Sequence, residues 1–140
     1  MLNDTDLDAF GYSYWDSDYK TKVRVQNMTP MSMVKEFSKK TEQVPQPYLY
    51  AGLIAEEADE WRSEYQRDTG VEQLKELADL VYVIYGFANA KGWDLDEAVR
   101  RVHINNLGRC IQPDGSVKRR ADGKIMKNPD YPKVDLTDLV

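Results

Sequence analysis

One segment limits what this chain can fold into: from Leu77 to Ala88 it is apolar on nearly all sides of a helix. A helix with that pattern has to be covered from several directions. A chain of 140 residues supplies a body of about four helices, which covers each helix on only one or two sides. We therefore expect an all-α protein that associates through this segment, as a homodimer or a homotetramer.

Capping residues divide most of the chain into helices. Thr29 followed by Pro30 is typical of an N-cap and a first helical turn. Gly92 is typical of a left-handed C-cap, and Asp94 with Glu97 resembles a capping box. The predicted helices run from Pro30 to before Pro45, from about Pro47 to near Gly70, from about Val71 to Lys91, and from Asp94 to about Asn106. This pattern predicts a bundle of four to five helices.

The two ends of the chain lack the helical pattern of the middle. Residues 1–28 carry aromatic side chains among Asp and Ser without clear periodicity, which predicts an irregular N-terminal arm. The domain is predicted to span residues 29–140, with a C-terminal tail from about residue 108. Asp114-Gly115 and Asp122-Gly123 are turn signals on either side of a short basic stretch. They predict a hairpin or an ordered loop.

Charge and composition exclude several classes of protein. With 19 basic against 24 acidic residues the net charge is −5, which argues against nucleic acid or an anionic membrane as partner. No run approaches the about 18 apolar residues of a membrane span. The acidic start lacks the features of a signal peptide, so we expect a cytoplasmic protein. With one cysteine, Cys110, and one histidine, His103, a metal would need oxygen ligands.

Acidic residues on the predicted helix from Pro47 fall on an unexpected face. Glu56, Glu57 and Glu60 lie within an arc of about 100° that also holds apolar Leu49 and Leu53. Since the leucines should face the core, the acids are predicted to extend an inward stripe. None of the three has a Lys or Arg at the stabilising downstream spacing.

The next predicted helix repeats this arrangement. Glu76 and Asp79 lie on the face that continues through Leu80 and Val83. Each like-charge pair costs about 0.2–0.5 kcal/mol even when exposed, so crowded inward carboxylates need protons or cations. Mg²⁺ or Mn²⁺ prefers such hard oxygen ligands. The alternative is a solvated acidic face, either without a role or as a non-catalytic interaction module for a basic partner.

These acids resemble the signatures of a known superfamily. E-E-A-D-E at 56–60 and E-L-A-D at 76–79 resemble the E-E-x-x-E and E-x-x-D motifs of the all-α nucleoside triphosphate pyrophosphohydrolases. That superfamily includes MazG proteins, phosphoribosyl-ATP pyrophosphohydrolases and dimeric dUTPases. Further similarity to the short MazG-like branch lies in residues 34–37 with Gln43, in 102–109, and in 123–127 with Tyr131-Pro132.

The resemblance implies an activity and a division of roles among the acids. It implies hydrolysis of a nucleoside triphosphate between its α- and β-phosphates, giving a monophosphate and diphosphate, with two or three Mg²⁺ or Mn²⁺ ions per site. Glu57, Glu60, Glu76 and Asp79 would be metal ligands, and Glu56 would orient or deprotonate the attacking water. The division between Glu56 and Glu57 is open.

The resemblance also implies substrate contacts towards the C-terminus. They are Asn106, Arg109, Lys124, Lys127 and Tyr131. The family's M-S-K is Leu107-Gly108-Arg109 here, so a lysine role would pass to the arginine, whose planar fork binds phosphate differently. The alternatives are a helix-ending asparagine, a solvated basic tail, and a tyrosine that pins the tail.

The substrate itself stays open at this point. The N-terminal arm and the tail resemble the free-standing house-cleaning or phage branch that controls a nucleotide pool. Within that branch, dGTP, dATP, dUTP and dCTP are all compatible with the residues. Phosphoribosyl-ATP is the alternative substrate for the same chemistry.

Overall fold

The computed structural model describes residues 19–140. Within that range the protein is all-α, with five helices and no strand beyond isolated bridges. The helices are α1 (Tyr19–Val25), α2 (Pro30–Lys40), α3 (Pro47–Gln66), α4 (Gly70–Lys91) and α5 (Leu95–Cys110), and a 3-10 turn covers Thr137–Leu139. The predicted fold class is confirmed, and the helix boundaries agree with the capping residues to within a few positions.

The caps act as the sequence indicates. The Thr29 hydroxyl oxygen accepts a hydrogen bond from the Ser32 backbone N–H at 3.2 Å, with Pro30 in the first turn of α2. Gly92 closes α4 in the left-handed region at φ 72°. The Asp94 carboxylate accepts from the Glu97 backbone N–H at 3.0 Å and so begins α5. Local chemistry therefore sets where these helices start and stop.

Helices α3 and α4 form a hairpin that is the main packing unit of the chain, and α2 packs across α4. The short turn between α3 and α4 is closed by Thr69, whose hydroxyl donates to the Glu64 carboxylate at 2.6 Å. Gly86 lets the Tyr50 ring lie against α4, since a Cβ there would overlap that ring. The Tyr50 hydroxyl donates to the Gln43 side-chain oxygen at 3.0 Å.

The buried core is small and lies where α2 crosses the C-terminal half of α4. It consists of Met31, Val34, Tyr85 and Ala88, with Trp93 and Leu95 packed against it. The N-terminal half of α4 has much less cover: Leu77 is 41% exposed and Val81 is 45% exposed. An apolar groove of about 390 Å³ runs beside them against α2. One chain alone thus leaves uncovered part of the helix that the sequence marks as apolar all round.

The N-terminal arm differs in part from the irregular segment that was predicted. Its described portion contains the short helix α1, which the Arg24 guanidinium ties to α2 through hydrogen bonds to Glu36 of 2.5 and 2.9 Å. Residues 1–18 of the predicted arm lie outside the described residues.

The tail after α5 contains two tight turns, as predicted. Antiparallel bridges pair Ile111 with Val117 and Arg119 with Ile125. Gly115 and Gly123 adopt φ values of 83° and 89°, which only glycine adopts without strain. The tail is therefore an ordered pair of loops rather than an extended strand.

The last part of the tail returns along α5. The Asn105 side chain donates to the Pro132 carbonyl at 2.9 Å, and the Arg101 guanidinium donates to both Asp138 carboxylate oxygens. Tyr131 lies so close to Gly108 that a side chain at that glycine would overlap its hydroxyl. In residues 19–140, no helix is both long and apolar enough to cross a bilayer.

Candidate metal centre

Three carboxylates meet between the two helices of the hairpin. Glu57 of α3 and Glu76 and Asp79 of α4 each bring one carboxylate oxygen to within 4.8 Å of the other two. Glu76 and Asp79 share a face because residues three apart in a helix are neighbours. Packing of α3 on α4 places Glu57 opposite them. The two motifs that are separate in the sequence thus form one cluster, which we call the acid cluster.

The acid cluster is short of hydrogen-bond donors. Oε2 of Glu57 and Oε2 of Glu76 are buried and have no hydrogen-bond partner in the described part of the chain. A buried acceptor left without a partner costs about 1–3 kcal/mol, and more when it is charged. The cluster therefore has a physical demand for protons or for a cation.

The pKa of Glu57 is raised, as expected for a carboxyl group in such surroundings. Burial away from water, followed by the negative charge of Glu60 and a proton shared with Glu76, raises the pKa of Glu57 from 4.5 to about 7. The charge of Asp79 acts in the same direction. At neutral pH this carboxyl is thus only partly ionised, and an incoming cation would have to displace a proton.

Lys75 contacts the cluster from its solvent side, and sequence reasoning missed it. Its ammonium lies 2.5 Å from the Asp79 carboxylate and 3.6 Å from that of Glu76. The hydrogen bond to Asp79 is the main cause that raises the pKa of Lys75. The signal was present, because Lys75 and Asp79 are four residues apart on α4. The Lys75 side chain is 65% exposed, so this ion pair is weak.

The other two predicted acids occupy a different position. Glu60 lies close enough to Glu57 to raise its pKa, but its side chain is exposed. Glu56 is exposed and is not one of the three clustered acids. The prediction that both belong to an inward stripe is wrong for a single chain, because both acids are exposed and so is Leu49 of the same predicted face, at 39%.

The composition of the acid cluster suits a hard divalent cation. All its ligand atoms are carboxylate oxygens, with neither histidine nor cysteine among them. Mg²⁺ and Mn²⁺ prefer such ligands, whereas Zn²⁺ sites usually contain nitrogen or sulfur. The two buried oxygens without partners are the atoms that such an ion would satisfy. The residues present therefore fit Mg²⁺ or Mn²⁺.

A second group of predicted residues meets at the tail. Asn106, Lys124 and Lys127 line a cavity of about 680 Å³ between the end of α5 and the two turns, which we call the tail cavity. Tyr131 and Arg109 are not among the residues that line it. Tyr131 lies against Gly108, and Arg109 has a buried Nε without a hydrogen-bond partner in the described residues.

The part of the chain that contains the acid cluster matches the model of a known protein family. The family described as phosphoribosyl-ATP pyrophosphohydrolase matches residues 24–106, more than half of the chain. The matched range contains the three clustered acids and ends at Asn106, before the tail. No curated protein matches the chain. The chain belongs to the phosphoribosyl-ATP pyrophosphohydrolase family, and hence to the MazG-like all-α superfamily of NTP pyrophosphohydrolases.

Proposed function

We propose that the protein is a metal-dependent nucleoside triphosphate pyrophosphohydrolase that converts a (d)NTP and water into a (d)NMP and diphosphate. The observation that carries this proposal is the acid cluster, in which Glu57, Glu76 and Asp79 bring oxygens within 4.8 Å of one another. Membership of a pyrophosphohydrolase family supports it. So does the net charge of −5, since the protein needs cations to accept a triphosphate.

The acids have separate roles in this proposal. Glu57, Glu60, Glu76 and Asp79 hold two or three Mg²⁺ or Mn²⁺ ions. The ions, when bound, neutralise the triphosphate and activate water. Glu56, which is exposed and next in sequence to Glu57, is proposed to orient or deprotonate the attacking water.

Polar and cationic residues near the C-terminus are proposed to serve the substrate. Asn106, Arg109, Lys124, Lys127 and Tyr131 are proposed to contact it. Support comes from the tail cavity, whose lining includes three of the five. Arg109 adds a guanidinium with an unsatisfied Nε, which an anion would satisfy.

The active form is proposed to be a homodimer or homotetramer, because the exposed apolar residues of α4 need a partner surface. The substrate is proposed to be a deoxynucleoside triphosphate of the cytoplasmic pool, namely dGTP, dATP, dUTP or dCTP, whether the protein is encoded by a host or by a phage. Phosphoribosyl-ATP is the second candidate, since the matching family is described by that activity. It presents the same triphosphate chemistry, so the acid cluster has the same role for either substrate.

A substrate panel tests the proposal. All ribo- and deoxynucleoside triphosphates and phosphoribosyl-ATP are incubated with Mg²⁺ or Mn²⁺, and the products are separated by anion-exchange chromatography. We expect monophosphate with diphosphate; nucleoside diphosphate with free phosphate would refute cleavage between the α- and β-phosphates. Glu57→Gln and Glu76→Gln should nearly abolish turnover, whereas Glu72→Gln, at an exposed acid in the first turn of α4, should retain it.

A non-catalytic acidic module predicts the opposite result. It would show neither turnover nor Mn²⁺ binding in titration calorimetry. Wild-type turnover in both Glu57→Gln and Glu76→Gln would show that the acid cluster is not the site.

A further inference from the structure

Lys75 is the cation that contacts the acid cluster. Within residues 19–140 it is the only basic side chain that forms an ion pair with any of the three cluster acids. Its ammonium lies 2.5 Å from Oδ2 of Asp79 and 3.6 Å from Oε1 of Glu76. Both oxygens belong to candidate metal ligands. The ammonium group and a divalent ion would therefore compete for the same two carboxylates.

The acid cluster has a closed side and an open side. Oε2 of Glu57 and Oε2 of Glu76 are on the closed side, where they are buried and have no hydrogen-bond partner in the described part of the chain. The open side is the Asp79 carboxylate, whose side chain is 38% exposed against 14% for Glu76. Lys75 contacts the cluster on this open side, from which a charged ligand in solution would reach the acids.

Helix stability alone does not account for a lysine at this position. An ion pair between residues four apart stabilises a helix best when the acid precedes the base, and here Lys75 precedes Asp79. Lys75 also lies in the second turn of α4, towards the helix end at which the dipole disfavours positive charge. Because the lysine is mostly exposed, the ion pair is weak and the ammonium can leave the acids at little cost.

We propose that Lys75 exchanges partners at the acid cluster. In the metal-free protein it balances the charge of Asp79 and Glu76, and once a divalent cation is held by these acids it contacts the phosphate chain of the substrate. A lysine suits this exchange, since its ammonium is a compact charge with three donors on a flexible stem and commonly binds phosphate. The inference rests on the proposed function and adds a substrate contact beside the metal ligands. It implies that Lys75 weakens metal binding and strengthens substrate binding.

Titration calorimetry with Mn²⁺, in the absence of nucleotide, tests the first half of the exchange. Lys75→Gln removes the competing charge, so Mn²⁺ should bind to this variant about fivefold or more tightly than to the wild type. Lys75→Arg keeps the charge and should stay within about twofold of the wild type. The matched control is Lys39→Gln, which removes an exposed lysine from the last turn of α2 and should also change the affinity by less than about twofold.

Binding of triphosphate analogues tests the second half. The α,β-methylene analogues of dGTP, dATP, dUTP and dCTP are titrated into each protein in saturating Mn²⁺. Any analogue that binds to the wild type should bind about tenfold or more weakly to Lys75→Gln, because its phosphate chain loses a charged partner. Lys39→Gln should bind it as the wild type does. Lys75→Met, which keeps the aliphatic stem, repeats both titrations without a new polar group, and circular dichroism checks that the variants are folded.

The two affinities should change in opposite directions, which a lysine that only stabilises α4 would not produce. Tighter Mn²⁺ binding together with weaker analogue binding supports the inference. If either affinity in Lys75→Gln and Lys75→Met stays within about twofold of the wild type, the exchange is overturned, while turnover and Mn²⁺ binding by the wild type leave the proposed function in place. Absence of Mn²⁺ binding and of turnover in the wild type refutes the proposed function and the exchange with it.

Discussion

At the scale of single residues, Glu57 is the acid at which burial and repulsion from neighbouring carboxylates oppose ionisation. We call this opposition the conflict of the acid cluster. Its pKa of about 7 lies above its ordinary value of 4.5, so the fold disfavours its charged form. Such a group makes the metal-free protein less stable as pH rises from about 4.5 through 7, because the folded state binds the proton more tightly than the unfolded state. The conflict is absent at pH 5, where the carboxyl is protonated in the folded state.

Replacement of this carboxyl by an amide should remove the conflict. In EDTA at pH 8, we expect Glu57→Gln to raise the melting temperature by about 2–4 °C, and at pH 5 to change it little. Differential scanning calorimetry of both proteins measures the effect. Glu72→Gln, the exposed control on α4, should change neither value. An equal shift of the Glu57 variant at both pH values would show that charge is not the cause.

The same titration governs metal affinity. Since a divalent ion has to displace the Glu57 proton below pH 7, the apparent Mn²⁺ affinity should rise about tenfold between pH 6 and pH 8. Titration calorimetry at the two pH values in buffers of different ionisation enthalpy also counts the released proton. A pH-independent affinity, with no proton released, would mean that Glu57 does not ligate the ion.

Sequence periodicity predicts part of this site and misses the rest for identifiable reasons. Glu57, Glu76 and Asp79 follow from helical spacing, which places them on faces continuous with apolar residues. The acidic motifs alone do not predict Lys75, although its spacing of four residues from Asp79 is typical of a helical ion pair. The exposure of Glu56 and Glu60 depends on what covers α3, and one chain's sequence does not supply that cover.

At the scale of helices, two glycines differ in the space around them: one lies in a tightly packed contact and the other on an open surface. Gly86 of α4 lies under the Tyr50 ring, and Gly52 of α3 has nothing within 4 Å of the position of a Cβ. Gly86→Ala should therefore destabilise the α3–α4 hairpin by about 1–3 kcal/mol, since the ring or the helix has to move. Gly52→Ala should stabilise the protein by about 0.5–1 kcal/mol through helix propensity.

Urea unfolding followed by circular dichroism compares these two variants with the wild type. Opposite signs at Gly86 and Gly52 are the expected result. A destabilisation of similar size at both would mean that α3 is packed against something at Gly52, and would be informative about a subunit contact.

The elements that the sequence predicts are those with a local cause. Thr29, Gly92 and Asp94 act through hydrogen bonds or backbone conformations within a few residues, so their helix ends can be predicted. Helix α1 could not be predicted in this way. It spans seven residues, too short for stability in isolation, and is held by the contact between Arg24 and Glu36 twelve positions away.

At the scale of the whole molecule, the uncovered half of α4 and the position of α5 both indicate that one chain leaves apolar helix faces exposed. Helix α5 packs on α2 rather than along the α3–α4 hairpin, and it exposes Val99 and Ile104 at 51% and 66%. The sequence thus predicts which segments form helices. The helices of one chain, however, do not cover all of their apolar faces. The sequence does not specify the surface that would cover these faces.

The last prediction concerns this association. Multi-angle light scattering should give a mass of two or four times 16.2 kDa for the wild type. Val81→Glu, on the uncovered face of α4, should shift the equilibrium towards monomer, because a carboxylate there would be buried without a partner. Val140→Glu makes the same change at an exposed terminal residue and should leave the mass unaltered. A wild-type monomer at 16.2 kDa, with activity intact, would show that each chain is complete on its own and that the exposed apolar faces have another role.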